Sequence, residues 1–162
     1  VRQHVATTSF KRTTYSDSAA SDKPAEAAVG RIFGMTTTNL PLGNFSVSLS
    51  VADLAASRAF YEQLGFVLFP GVTADNMVIL RNGSATIGLF QGMFEGNLLT
   101  FNPGWDEQGA PLEEFLDVRE IQGRLRAAGI RPTLEADESG IGPAALMMTD
   151  PDGNVILIDQ HV

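Results

Sequence analysis

The chain of 162 residues contains no cysteine, which removes disulfides, thiolate-held zinc, iron–sulfur clusters and a cysteine nucleophile from consideration. Histidine is nearly as scarce. Only His4 and His161 occur, so a metal site needing several imidazoles cannot be assembled within one chain. Basic residues are outnumbered, 11 Lys and Arg against 19 Asp and Glu, and the formal net charge of -8 repels phosphate backbones and anionic lipid surfaces. Neither nucleic acid nor membrane is therefore an expected partner. No apolar run approaches the roughly 18 residues of a membrane span. The N-terminal stretch also lacks the hydrophobic segment of a secretory signal, and a cytoplasmic location is the expectation.

What the chain does have is enough apolar material for one core, 44% of its residues. Residues 1–43 contribute little to it. They are rich in Ser, Thr and Ala without an apolar period and read as a flexible arm. From Asn44 the texture changes: Val47, Leu49 and Val51 alternate with Ser46, Ser48 and Ser50, the pattern of a strand with one buried face. Asp53 stands where a helix N-cap belongs. Leu54, Ser57, Phe60, Tyr61 and Leu64 follow at helical spacing until Gly65 ends the helix. Short strands are predicted over 66–69, 77–80 and 86–90, the last two joined by an Asn82-Gly83 turn.

The second half repeats this order. Asp117 and Gly129 bracket a helix as Asp53 and Gly65 do, with Ile121, Leu125 and Ala128 on one face and Arg119, Arg124 and Arg126 mostly outward. A strand near Thr133, one at 144–148, the turn Asp150-Pro151-Asp152-Gly153-Asn154 and a strand at 155–160 complete the copy. Two βαβββ modules, about 44–92 and 98–162, are thus expected in one α+β domain spanning 44–162. The strand opening the second module is either 98–101 or the stretch near 112–115. Pro103, Gly104, Gly109 and Pro111 interrupt this region and mark an insertion.

Val51-x-Asp53-Leu54, Phe60-Tyr61-x-x-Leu64-Gly65-Phe66 and the Asp150-to-Asn154 turn, in this order, resemble the signature of the vicinal oxygen chelate superfamily of glyoxalases, bleomycin-resistance proteins and extradiol dioxygenases. The resemblance implies a cup-shaped mixed sheet built from two modules, a ligand held in the hollow, and a homodimer. It also implies four metal-ligand positions, which here are Ser46, Gly88, Leu157 and, by an ungapped count, Ala110. A hydroxyl and three side chains without donors do not make a divalent-cation site. No metal and no cofactor is expected.

Strand parity places Leu157, Asp159 and His161 on the cup side and Ile156 and Ile158 behind. Asp159 and His161 are candidates for an acid/base pair, since the carboxylate can orient the imidazole and raise its pKa; the competing reading is a pair at a frayed, solvated chain end. Ser46 and Ser48 offer hydroxyls to a ligand, or are merely small residues on a concave face. Thr86, Gly88 and Phe90 face inward by the same parity. Phe94, Phe101, Asn102 and Trp105 gather aromatic and amide groups beside glycines, a wall for an apolar or aromatic ligand or else ordinary packing under a long loop. Glu113 and Glu114 read as solvated surface, and Arg58 with Glu62 as an exposed ion pair. The leading expectation is a glyoxalase/bleomycin-resistance-like protein that binds a small apolar or aromatic molecule without metal. The alternative is a glyoxalase-related lyase or isomerase using His161 and Asp159.

Overall fold

The computed structural model describes residues 39–162, so most of the arm expected over 1–43 lies outside the described residues. β1 (Asn44–Val51) leads into α1 (Leu54–Gln63), then β2 (Val67–Ala74), β3 (Met77–Asn82) and β4 (Ala85–Gln91). β5 (Leu98–Asn102), α2 (Val118–Ala127), β6 (Ala144–Thr149) and β7 (Val155–Gln160) follow. The seven strands form one sheet in the order β2-β3-β4-β1-β5-β7-β6. β1 runs parallel to β4, β5 runs parallel to β7, and β1 and β5 meet antiparallel. Two modules related by an approximate two-fold therefore share one sheet, as the repeated sequence order predicts.

The open choice of strand is decided for 98–102, because β5 pairs with β1 from Asn44↔Asn102 to Ser48↔Leu98. The 112–115 stretch belongs instead to the insertion between β5 and α2. The strand predicted near Thr133 is reduced to a single bridge, Leu134↔Met147. Its physical rival is Gln122, a fully buried residue of α2 whose amide accepts from Ala136 N (2.7 Å) and donates to Ala136 O (3.1 Å). With its backbone groups satisfied by the helix, the segment does not continue along β6.

Each helix starts where the sequence says. Asp53 accepts from Ala56 N (2.9 Å) and Asp117 accepts from Arg119 N (2.8 Å), satisfying N–H groups that have no partner inside the helix. Both helices cover the same sheet face, but unequally. α2 buries Val118, Ile121 and Leu125 against Leu146, Met148 and Ile158, with Leu40, Leu42 and Phe101 packed at the margin. α1 buries none of its residues; only Leu54 and Tyr61 reach the second cluster, Val78, Leu80 and Leu89. Its predicted apolar stripe is only partly covered, and Phe60 stays 58% exposed and Leu64 55%. Arg119 also departs from expectation. Its guanidinium turns inward because three acceptors wait there: Asp117, the Asp137 carbonyl (2.8 Å) and the Gly142 carbonyl (3.1 Å). Ala128 closes the helix as its C-cap and is exposed.

Candidate functional site

Side chains alternate across each strand, so the helices on one face leave the other to a second set of residues. That face encloses a cavity of about 690 Å3. β1 contributes Asn44, Ser46 and Ser48, and β5 contributes Leu98, Thr100 and Asn102. From β7 come Val155, Leu157 and Asp159, followed by His161 just beyond the strand. β3 and β4 add Met77, Ile79, Arg81, Thr86 and Phe90.

Nine of the eleven candidate residues thus line one cavity: Ser46, Ser48, Phe90, Phe94 and Asn102, together with Trp105, Leu157, Asp159 and His161. Phe101 does not. On β5 the inward positions are Thr100 and Asn102, so the Phe101 ring lies on the helix face, with its centroid 5.0 Å from that of Phe45. Gly88 is covered rather than open, because a Cβ there would sit 2.4 Å from the Phe90 ring. The missing side chain makes room for that ring, which in turn lies 5.1 Å from the ring of Phe94. Met77 and Ile79 were legible only as part of a strand and Arg81 fell just beyond it, though pairing with β4 (Arg81↔Thr86, Ile79↔Gly88) puts them on the cup face. Glu113 and Glu114 are exposed, and Arg58 and Glu62 form their helical ion pair at 2.7 Å.

Polar groups inside the cup are held in defined bonds. The Ser48 and Thr100 hydroxyls, both buried, bond each other at 2.9 Å. Asn102 Nδ2 donates to Asp159 O (3.0 Å), and Asn44 Nδ2 donates to Asp106 O (2.7 Å). The insertion closes one end of the cup. Arg81 ties it down by donating to the carbonyls of Gln108 (2.7 Å) and Glu107, and its Nε reaches Gly83 O (2.9 Å). Gly109 is required at this contact: a Cβ would lie 2.7 Å from the Phe69 ring, and its φ of +77° is one that L side chains rarely adopt. Trp105 ends the insertion's first turn stacked on His161, centroids 4.7 Å apart and rings 15° from parallel.

His161 is also fixed from the other side, with Nε2 3.1 Å from Asp159 Oδ2. That hydrogen bond raises the imidazole pKa above its ordinary 6.5; burial opposes it and the carboxylate charge adds to it. Nδ1 is left as the nitrogen not engaged by Asp159. The chain end is tied through Gln160, which is buried and donates from Nε2 to the Val162 carbonyl at 2.8 Å, while the His161 side chain stays 45% exposed. A linkage prediction follows for His161. A group whose folded pKa is raised stabilises the fold fully below its unfolded value, and that contribution disappears as pH rises through the folded value. The Tm difference between the native chain and His161→Gln should therefore be largest at or below pH 6.5 and shrink on the alkaline side. A difference independent of pH would show that the pair carries no such linkage.

The register also corrects one metal-ligand position. Gly88 pairs with Ser48, and Leu157 pairs with Thr100, so Ser46 of the first module corresponds to Leu98 of the second and not to Ala110, which lies in the insertion. Ser46, Gly88, Leu98 and Leu157 offer one hydroxyl among them. That donor set does not fit a divalent cation. Among the described residues no three His, Asp or Glu side chains converge elsewhere.

A single mixed sheet of paired modules with its ligand face lined from both defines a class of protein, and comparison with known families agrees. The profile of the Glyoxalase/Bleomycin resistance protein/Dioxygenase superfamily matches residues 45–158. The chain belongs to that superfamily. Among solved structures it is similar to a glyoxalase/bleomycin resistance protein/dioxygenase superfamily member from Vibrio splendidus 12B01, at 18% identity, TM-score 0.50, over 72% of this chain and 97% of that one. A hypothetical protein from Bacillus halodurans C-125 aligns at 11% identity and TM-score 0.51, over 72% of this chain and 92% of the other. Methylmalonyl-CoA epimerase of Streptomyces coelicolor, in complex with 2-nitronate-propionyl-CoA, aligns at 14% identity and TM-score 0.50, over 74% and 98%. No curated protein matches the chain. At these identities the likeness is one of fold. No helix among the described residues is long and apolar enough to cross a membrane.

Proposed function

We propose that this protein binds a small apolar or aromatic molecule in the cup without using a metal ion. The observation that carries this reading is the lining itself: Ser46, Leu98 and Leu157 at the ligand positions, with the Phe90 ring over Gly88 and Phe94, Met77 and Ile79 beside it. Such a surface favours burial of apolar area, at about 25 cal/mol per Å2, over coordination of a cation. The volume suits a drug-sized compound. A cytoplasmic homodimer belongs to the same reading. Phe60, Leu64 and Val67, all more than half exposed next to a helix that buries nothing, support a second chain packing there.

One test combines metal analysis with a binding titration. Protein purified without chelator should hold far less than one metal ion per chain, and an aromatic probe should bind one per chain with an affinity unchanged by EDTA. Trp105, the one tryptophan, lines the cavity and reports occupancy by its fluorescence. A stoichiometric metal, or binding lost on chelation, would overturn the reading.

A second reading rests on Asp159 and His161, fixed at 3.1 Å within the same cavity. It makes the protein a lyase or isomerase related to glyoxalase, with the imidazole moving a proton and Asp159 holding it in place. Turnover that survives chelation and disappears in His161→Gln would decide for it.

A further inference from the structure

We infer that the ligand of this cup is an amphiphilic monocarboxylate, its anionic end bound by Arg81 and Thr86 and its apolar body lying toward Phe90 and Phe94. The inference deepens the binding reading above and rests on it.

The argument comes from how the lining is ordered along the strands. Strand pairing sorts the inward residues into levels across the sheet. At one level Arg81 of β3 faces Thr86 of β4, and Ser46 of β1 faces Thr100 of β5. Because Val47 pairs with Ile87 in the parallel β1–β4 ladder, Thr86 and Ser46 are neighbours too, and the level runs unbroken over four strands. One level along, Ile79 faces Gly88, which is roofed by the Phe90 ring, and Ser48 faces Leu98. One level further, Met77 faces Phe90, whose ring meets that of Phe94. The hollow therefore passes from a guanidinium and hydroxyls to aliphatic and aromatic side chains along four residues of strand, roughly 13 Å, in a fixed direction. A uniformly apolar ligand would leave the first level unsatisfied, and a uniformly polar one would waste the third.

Charge sets the sign of the polar end. His161 Nε2 lies 3.1 Å from Asp159 Oδ2, a hydrogen bond that favours the protonated imidazole, and with that proton the pair adds little net charge. Arg81 has no carboxylate within ion-pair distance among the described residues; its three bonds go to the carbonyls of Gly83, Glu107 and Gln108. A guanidinium has five N–H donors, so two remain. Thr100 is committed to Ser48 at 2.9 Å, which leaves the Thr86 and Ser46 hydroxyls of that level to a ligand. The other carboxylate on the lining is Glu95, in the loop after β4 next to Phe94, at the opposite end. An anion is thus attracted at Arg81 and repelled at Glu95, which orients the molecule. One uncompensated cation matches one negative charge, and the N–H left on each of Nη1 and Nη2 is a donor for a carboxylate oxygen.

The test uses phenylbutanoate and its uncharged amide, phenylbutanamide, titrated into the full chain with Trp105 fluorescence as the readout. The acid should bind about tenfold more tightly than the amide, the worth of a hydrogen bond to a charged group, and this preference should shrink as salt is raised. Arg81→Gln should erase the preference, the acid losing about tenfold more affinity than the amide. Arg81→Lys, which keeps the charge, should retain part of it. Thr86→Val, which does not touch the insertion, should reduce it by a smaller step. If acid and amide bind alike, the apolar cup stands and the carboxylate end is wrong. If Arg81→Gln weakens both alike, Arg81 only fastens the insertion and the inference fails. If the preference survives Arg81→Gln but not His161→Gln, the anion sits elsewhere and the inference fails again. If neither probe binds, both the inference and the reading beneath it fall.

Discussion

Ser46→Phe should weaken ligand binding roughly a hundredfold while leaving the fold intact. Ser46 lies on the central strand with its side chain on the cavity, so the added ring enters open space and not a packed core. The protein has little to rearrange, but a ligand loses its place. Forcing a bound molecule against a new ring costs about 3 kcal/mol, roughly a hundredfold in affinity. The Trp105 titration with an aromatic probe measures the loss, and thermal unfolding checks that Tm stays within a few degrees of the native value. Unchanged binding would mean that the probe sits outside the cup, and the functional reading would fall with it.

The largest loss of stability should come from Gln160→Leu. Gln160 is 2% exposed, and its amide joins three parts of the second module. Oε1 accepts from Val118 N at the start of α2 (2.8 Å), and Nε2 lies within hydrogen-bond reach of Asp117 Oδ2 (3.0 Å), Gly142 O (3.2 Å) and Val162 O (2.8 Å). Leucine fills the space but leaves the buried Val118 N–H without a partner and removes the Nε2 donor from Asp117, Gly142 and Val162. We expect a cost of about 3 kcal/mol, read as a drop in the urea midpoint with the slope unchanged. Arg58→Ala, which breaks only an exposed pair, should cost less than about 0.5 kcal/mol. Burial pushes the Asp117 carboxyl up, but the Arg119 backbone, Gln160 and the Arg119 side chain together hold it below its ordinary 3.8. A carboxyl with a depressed folded pKa contributes stability above its unfolded value that disappears as pH falls through the folded one. The penalty of Gln160→Leu should therefore shrink in acid. Equal stability of the two chains would show that the amide network is dispensable.

Much of the fold was legible because its signals are local. The alternation of β1, the Asp53 and Asp117 caps and the Gly65 and Gly129 stops each depend on residues within one turn or one strand. Parity on β7 likewise gave the correct sides for Ile156, Leu157, Ile158 and Asp159. Where prediction departed from the structure, a long-range competitor was responsible. Gln122 drew Ala136 to the helix and left one bridge where a strand was expected. Phe101 was grouped with the ligand wall because it neighbours Asn102 and Trp105 in sequence, but pairing of β5 with β1 fixes its side toward the helices. Arg81 could not be singled out, since an arginine at a strand end is ordinarily solvated. Pairing with Thr86 turns it to the cup face, and the insertion bonded to it makes it part of a cavity wall.

The amino-acid sequence by itself determined the duplicated module order and the poverty of metal donors, because side-chain chemistry and periodicity are properties of short stretches. Tertiary structure alone decided that Ser46 is matched by Leu98, that Trp105 stacks on His161, and that the cup has a polar and an apolar end. These depend on register between strands far apart in the chain, and a shift of one residue would have turned every such side chain to the opposite face.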